Sequence, residues 1–140
     1  MTRIMTFGAF DLLHYGHMRL LQRLSERGTY LIVALATDEL IGMGKGLPFY
    51  PYAIRREMLL HTRYPNEVVP HGGQPDGVGR VRLVAGKIEL VQHFEIDEVV
   101  MGDDWLGEYD FLKPYCRVSY EPRTLDISTT LIRRKAAIGG

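Results

Sequence analysis

The chain has 140 residues, 46% of them hydrophobic and 24% charged, which is enough for one domain with its own core and too little for two. Its 17 basic and 17 acidic residues cancel, which excludes a nucleic-acid binder working through a broad basic field. A lone cysteine, Cys116, excludes an internal disulfide, and no apolar run approaches the roughly 20 residues of a membrane span.

Residues 4–7 are apolar and read as a buried strand. The stretch Phe7-Gly8-Ala9-Phe10-Asp11-Leu12-Leu13-His14-Tyr15-Gly16-His17 follows, and then residues 18–24 carry Leu20, Leu21 and Leu24 at helical spacing. Gly28 is the expected stop of that helix. Residues 30–36 form a continuous apolar run, as in a strand covered on both faces. The segment 37–51, rich in glycine and proline, reads as a loop. Residues 52–63 read as a helix with Ile54, Met58 and Leu59 on one side, 67–70 as a short strand and 71–79 as a glycine-rich loop. A helix over 81–94 carries Leu83, Val84, Ile88 and Val91. The strand 98–101 ends in the polar loop Gly102-Asp103-Asp104-Trp105. A strand over 117–120 and a final helix over 128–137, capped by Ser128, complete the chain.

This alternation predicts an α/β fold: a single doubly wound parallel sheet with helices on both faces, one domain over 1–140. Ligands of such sheets bind beyond the carboxyl ends of the strands. Four polar segments fall there: Gly8 to His17, Thr37-Asp38, Gly102 to Trp105, and Arg123 to Thr130. They are expected to line one crevice.

His14 and His17 stand where a strand hands over to a helix. Free backbone N–H groups and the positive end of a helix dipole favour phosphate at such a junction. Gly8 lets the backbone approach a ligand, and two histidines add donors able to carry positive charge. The plainer alternative is that each histidine caps the helix and the glycine only makes a turn. A second helix start lies in Arg123-Thr124-Leu125-Asp126-Ile127-Ser128-Thr129-Thr130. There Ser128 either caps the helix or, with the planar donors of Arg123, holds phosphate oxygens.

Gly8-Ala9-Phe10-Asp11 with His14-Tyr15-Gly16-His17 resembles the signature of the HxGH nucleotidylyltransferase superfamily. With Gly102-Asp103-Asp104-Trp105, and Arg123-Thr124 followed by Ile127-Ser128-Thr129-Thr130, the chain is similar to the cytidylyltransferases, most closely their glycerol-3-phosphate branch. The resemblance implies a Rossmann-like fold and transfer of CMP from CTP to a small phosphorylated alcohol. Pyrophosphate is the second product. It also implies a Mg²⁺ ion on the phosphates, a homodimer and a cytoplasmic protein, with no nucleic acid as partner.

Under this resemblance His14, His17 and Arg123 act on the triphosphate. Gly8, Ala9, Phe10, Asp11, Gly16, Gly102, Asp103, Asp104, Thr124, Ile127, Ser128 and Thr129 complete the nucleotide site. The exocyclic amine of cytosine would donate to the Asp103-Asp104 loop, with Trp105 either stacking or packing beneath the loop and Tyr15 shaping the first loop. Asp11 either orders the metal or caps the first helix. Lys45 neutralises further phosphate oxygens on the acceptor side, while Asp38 and Arg63 either contact the acceptor or are ordinary surface groups.

The chain departs from the family pattern at several points. Ala9 stands where a hydroxyl residue is common, and Leu125-Asp126 replaces Glu-Gly. The loop Gly44-Lys45-Gly46 keeps one lysine, Asn66 replaces an acid, and the longer stretch 71–86 lacks a tryptophan. These changes fall on the acceptor side. Glycerol 3-phosphate is therefore joined by other polyol phosphates, amino-alcohol phosphates and hydroxyalkylphosphonates as candidate acceptors. An adenylyltransferase and a non-catalytic nucleotide-binding module are the competing readings.

Overall fold

A computed structural model describes residues 1–44, 46–72, 80–122 and 134–136, the side chains of 80–82 excepted. In chain order the elements are β1 (Arg3–Gly8), α1 (Tyr15–Arg27), β2 (Tyr30–Ala36), α2 (Asp38–Gly42), α3 (Tyr52–His61), β3 (Glu67–His71), α4 (Arg80–His93), β4 (Glu98–Gly102) and β5 (Arg117–Glu121). Two short 3₁₀ turns, Asp103–Trp105 and Asp110–Leu112, join β4 to β5. The strands pair in the order β3-β2-β1-β4-β5, all parallel. The order reverses between β1 and β4, so the ligand crevice of this topology opens beyond the carboxyl ends of those two strands.

Strict alternation along β1 divides the core. Ile4 joins Leu21 and Leu24 of α1, Leu59 of α3, and Leu31, Val33 and Leu35 on one face. Met5 and Phe7 join Val91 of α4, Ile32, Ala34, Val99 and Met101 on the other. Helices therefore cover both faces, and β2, apolar at every position after Tyr30, is buried throughout. Burial of this apolar area, at roughly 25 cal/mol per Å², is the main favourable term.

The structure departs in detail from the expected elements at α2, at α3 and at Gly28. Within 37–51 lies the short helix α2. Thr37 caps it by accepting from the Leu40 N–H (3.2 Å), and Asp38 and Glu39 complement the helix dipole in its first turn. Helix α3 ends at His61, and Arg63 follows in the left-handed region (φ 68°). Its inward face is Arg55 with Leu59, while Ile54 points outward and is 41% exposed. Gly28 does end α1, but in extended backbone (φ −150°). Its missing Cβ admits the Thr2 carbonyl oxygen, which would lie 2.5 Å away. Residues 134–136 are helical; the expected cap Ser128 lies outside the described residues. Asn66, where the resemblance expects an acid, accepts from the Leu31 N–H at 2.8 Å through its amide oxygen, a contact that needs no charge.

Candidate active site

The loop after β1 turns sharply. Gly8 ends the strand with no Cβ, and one built there would lie 2.8 Å from the Phe10 ring, so the glycine makes room for that ring. Phe10 and Leu12 both adopt positive φ (48° and 50°), at a cost of about 1–3 kcal/mol each. Asp11, between them, holds the turn. Its Oδ2 accepts from the Phe49 N–H (2.6 Å) and its Oδ1 from the Tyr50 N–H (3.0 Å), stapling the segment before α3 onto the loop. Asp11 is thus a loop-to-loop anchor rather than the cap of α1.

The cap of α1 is His14. Its Nδ1 accepts from the Gly16 N–H (3.0 Å), while its own N–H donates to Nδ1 of His17 (3.2 Å). The two rings stack with centroids 3.9 Å apart, and Phe10 lies 5.3 Å from His17. With each Nδ1 committed as an acceptor, the neutral rings carry their proton on Nε2, which becomes the outward donor of both. Burial pushes the His17 imidazole down to about 4, and repulsion from His14 adds to this against the pull of Asp11. Burial lowers His14 as well. The rings are therefore uncharged at neutral pH, not the cations that sequence reasoning allows. For His14 the structure shows the capping alternative, and the cap leaves Nε2 uncommitted by either of these hydrogen bonds.

Across the crevice, Gly102 ends β4, and Asp103 and Asp104 open the 3₁₀ turn with both side chains exposed. Trp105 is 46% exposed and meets Tyr109 edge-on at 6.0 Å, so it packs only by an edge and not beneath the loop. Tyr15 starts α1 and is 61% exposed. Lys45, Arg123, Thr124, Ile127, Ser128 and Thr129 lie outside the described residues.

The residue that sequence reasoning misses is Arg55, which is 1% exposed. Its guanidinium donates to Ala9 O (2.9 Å), Ala36 O (2.8 Å), Tyr50 O (2.9 Å) and Asp38 Oδ1 (2.6 Å). It thereby ties the ends of β1 and β2 to the segment before α3. Asp38 also accepts from the Tyr52 N–H (3.0 Å), so its visible work is to position Arg55 and α3. Arg63 is exposed just past α3, before β3 begins, at the opposite end of the sheet from His14 and His17. Within one chain it lies away from the crevice. The signal for Arg55 was an arginine at i−4 from the core residue Leu59; its carbonyl partners come from three separate segments and leave no sequence pattern.

Among the described residues, no three His, Cys, Asp or Glu side chains cluster as a metal cage. Asp11 is the carboxylate nearest the histidines in sequence, and both of its oxygens already accept backbone amides. That donor set fits an ion held mainly by phosphate oxygens and water, as Mg²⁺ prefers.

A cytidylyltransferase-like family model matches residues 5–135. The chain is 44% identical over 135 residues to the glycerol-3-phosphate cytidylyltransferase of Staphylococcus aureus, covering 96% of this chain and 95% of that one. It is 41% identical to the protein of that name from Bacillus subtilis, covering 98% of both. A lipopolysaccharide core biosynthesis protein from Thermoplasma volcanium superposes with a TM-score of 0.67 at 18% identity over 89% of this chain and 98% of that one, a likeness of fold. A match running almost from end to end, on a sheet whose crevice carries the paired histidines, means that this chain belongs to the cytidylyltransferase-like family.

Proposed function

We propose that the protein transfers CMP from CTP to glycerol 3-phosphate, giving CDP-glycerol and pyrophosphate. The observation that carries this reading is 41–44% identity, over at least 95% of both chains, to glycerol-3-phosphate cytidylyltransferases. The geometry supports it chemically. A phosphate monoester dianion is nucleophilic without a base. Its oxygen attacks the α-phosphorus, the bond to the bridging oxygen breaks, and pyrophosphate leaves with the electron pair. The protein's task is alignment and charge stabilisation. His14 and His17 supply two fixed Nε2–H donors to the α-phosphate region, in a loop held rigid by Asp11 and Arg55. Lys45 and Arg123 add cations to the phosphates, and the main-chain amides after β1 and the segment from Arg123 to Thr129 hold the nucleotide. Asp103 and Asp104 accept from the cytosine amine. A bound Mg²⁺ would neutralise phosphate charge, with Asp11 the carboxylate nearest the histidines in sequence. The reading carries a homodimer and a cytoplasmic location; among the described residues, no helix is long and apolar enough to cross a membrane.

Pyrophosphate release with CTP or ATP, Mg²⁺ and a panel of phosphorylated alcohols tests the reading. CTP with glycerol 3-phosphate is expected to give the highest kcat/KM. A preference for ATP overturns the nucleotide assignment, and CTP binding without turnover of any acceptor overturns catalysis.

A further inference from the structure

Resting on the transfer reading above, we propose that Met101 is a positioning residue for the nucleotide. Its thioether holds apart the carboxyl ends of β1 and β4, and so sets the spacing between the loop that takes the triphosphate and the loop that takes the base. Strand β1 keeps its register with β2 as far as Gly8↔Leu35, and β4 keeps its register with β5 as far as Gly102↔Glu121. Between β1 and β4 the register covers Ile4↔Glu98 and Met5↔Val99 and stops there. The two central strands therefore part where the strand order reverses. A Cβ built on Gly102 would meet nothing within 4 Å among the described residues, so the end of β4 faces open space.

Parting two central strands leaves backbone donors without a ladder partner, and a buried N–H left unpaired is costly. Met101 supplies the acceptor. Its Sδ takes the Phe7 N–H at 3.5 Å and the Thr6 hydroxyl at 3.8 Å. Thr6, Phe7 and Met101 are all buried, so bulk water does not serve these donors. A continued ladder would instead draw the strands to about 4.8 Å and close the mouth between Gly8 and Gly102. A thioether is long, flexible and weakly accepting, which lets it fill such a gap without ladder geometry. Phe7 is followed by Gly8, where the histidine loop begins, and Met101 by Gly102, where the Asp103-Asp104 turn begins. CTP spans both loops in the transfer reading, so their separation selects for the distance from phosphate to base.

The test compares wild type with Met101→Leu, a swap that keeps volume, removes the acceptor and leaves the core packed. Dissociation constants are measured by isothermal titration for CTP, which meets both loops, and for inorganic triphosphate, which carries the same phosphates without ribose or base. In Met101→Leu the Kd for CTP is expected to rise at least about fivefold, as for a hydrogen bond lost from a preorganised site. The Kd for triphosphate should stay unchanged, and the KM for CTP should rise while that for the acceptor does not. Equal weakening of CTP and triphosphate marks a merely structural role and overturns the proposal, as does a CTP affinity equal to wild type. A second measurement uses the wild type alone: the Phe7 amide should be protected from hydrogen exchange, read by NMR. Exchange at the rate of exposed loop amides also overturns the proposal. These failures leave the transfer reading standing; wild type inert with every phosphorylated alcohol overturns both.

Discussion

At the residue scale, the transfer reading relies on two imidazoles whose Nδ1 atoms are both occupied. The Gly16 and His14 amides fix ring orientation and tautomer, so Nε2–H is aimed before substrate arrives. Replacing His14 or His17 with Ala should lower kcat by about a hundredfold or more, as for loss of one transition-state donor. His17→Ala should also remove half of the capping pair, at about 1 kcal/mol of stability, detectable as a small fall in Tm. Near-normal kcat in both variants would contradict the assignment. The histidines and Gly102-Asp103-Asp104-Trp105 were legible as a site because their spacing places them at strand ends. Capping is the plainer sequence reading of each histidine, but the pairing of the two rings, each Nδ1 accepting a backbone amide, is shown only by geometry.

At the element scale, α2, α3 and the loop after β1 are held as one unit by Arg55, Asp11 and Asp38. Arg55→Met removes four donated hydrogen bonds and leaves Asp38 without its cation. The Asp38 side chain is 33% exposed, so the loss is smaller than the roughly 3–5 kcal/mol of breaking a fully buried pair from one side. The variant should show a large fall in Tm and a raised KM for CTP, both measured on the folded fraction. Thr37 links the ends of β2 and β3 by donating to Gly72 O (2.9 Å) while it caps α2. Thr37→Val should cost about 1–2 kcal/mol, read by denaturant unfolding. The strands and long helices were legible because burial on one or both faces imposes a period. Helix α2 was not, since five residues show no apolar stripe and its cap sits among glycines and prolines.

At the scale of the whole molecule, the fold buries two histidines in uncharged form. Burial takes His17 and His71 from 6.5 to about 4, with repulsion from His14 and Lys87 respectively adding to it. An unfolded chain binds those protons at higher pH than the native one. Stability is therefore fully present above about pH 6.5 and is lost as pH falls toward 4. Each group contributes up to about 3 kcal/mol to that loss. Thermal melts between about pH 7 and pH 4 should show Tm falling with acid, and His71→Gln should make the slope shallower. A flat profile would contradict the burial of both rings as neutral groups. The parallel sheet with helices on both faces followed from the alternation of elements; the strand order, with its reversal between β1 and β4, came only from the structure. The position of Arg63, at the far end of α3, did not, because helical spacing carries no sign of which end of the sheet a residue reaches.

The most direct test of the account is ³¹P NMR of the wild-type protein with CTP, glycerol 3-phosphate and Mg²⁺, beside His17→Ala under the same conditions. The account predicts that the γ-phosphate resonance of CTP gives way to those of CDP-glycerol and pyrophosphate with wild type, and that the variant binds CTP while leaving it intact on that timescale. CTP unchanged by the wild type, or consumed equally by both, would contradict it.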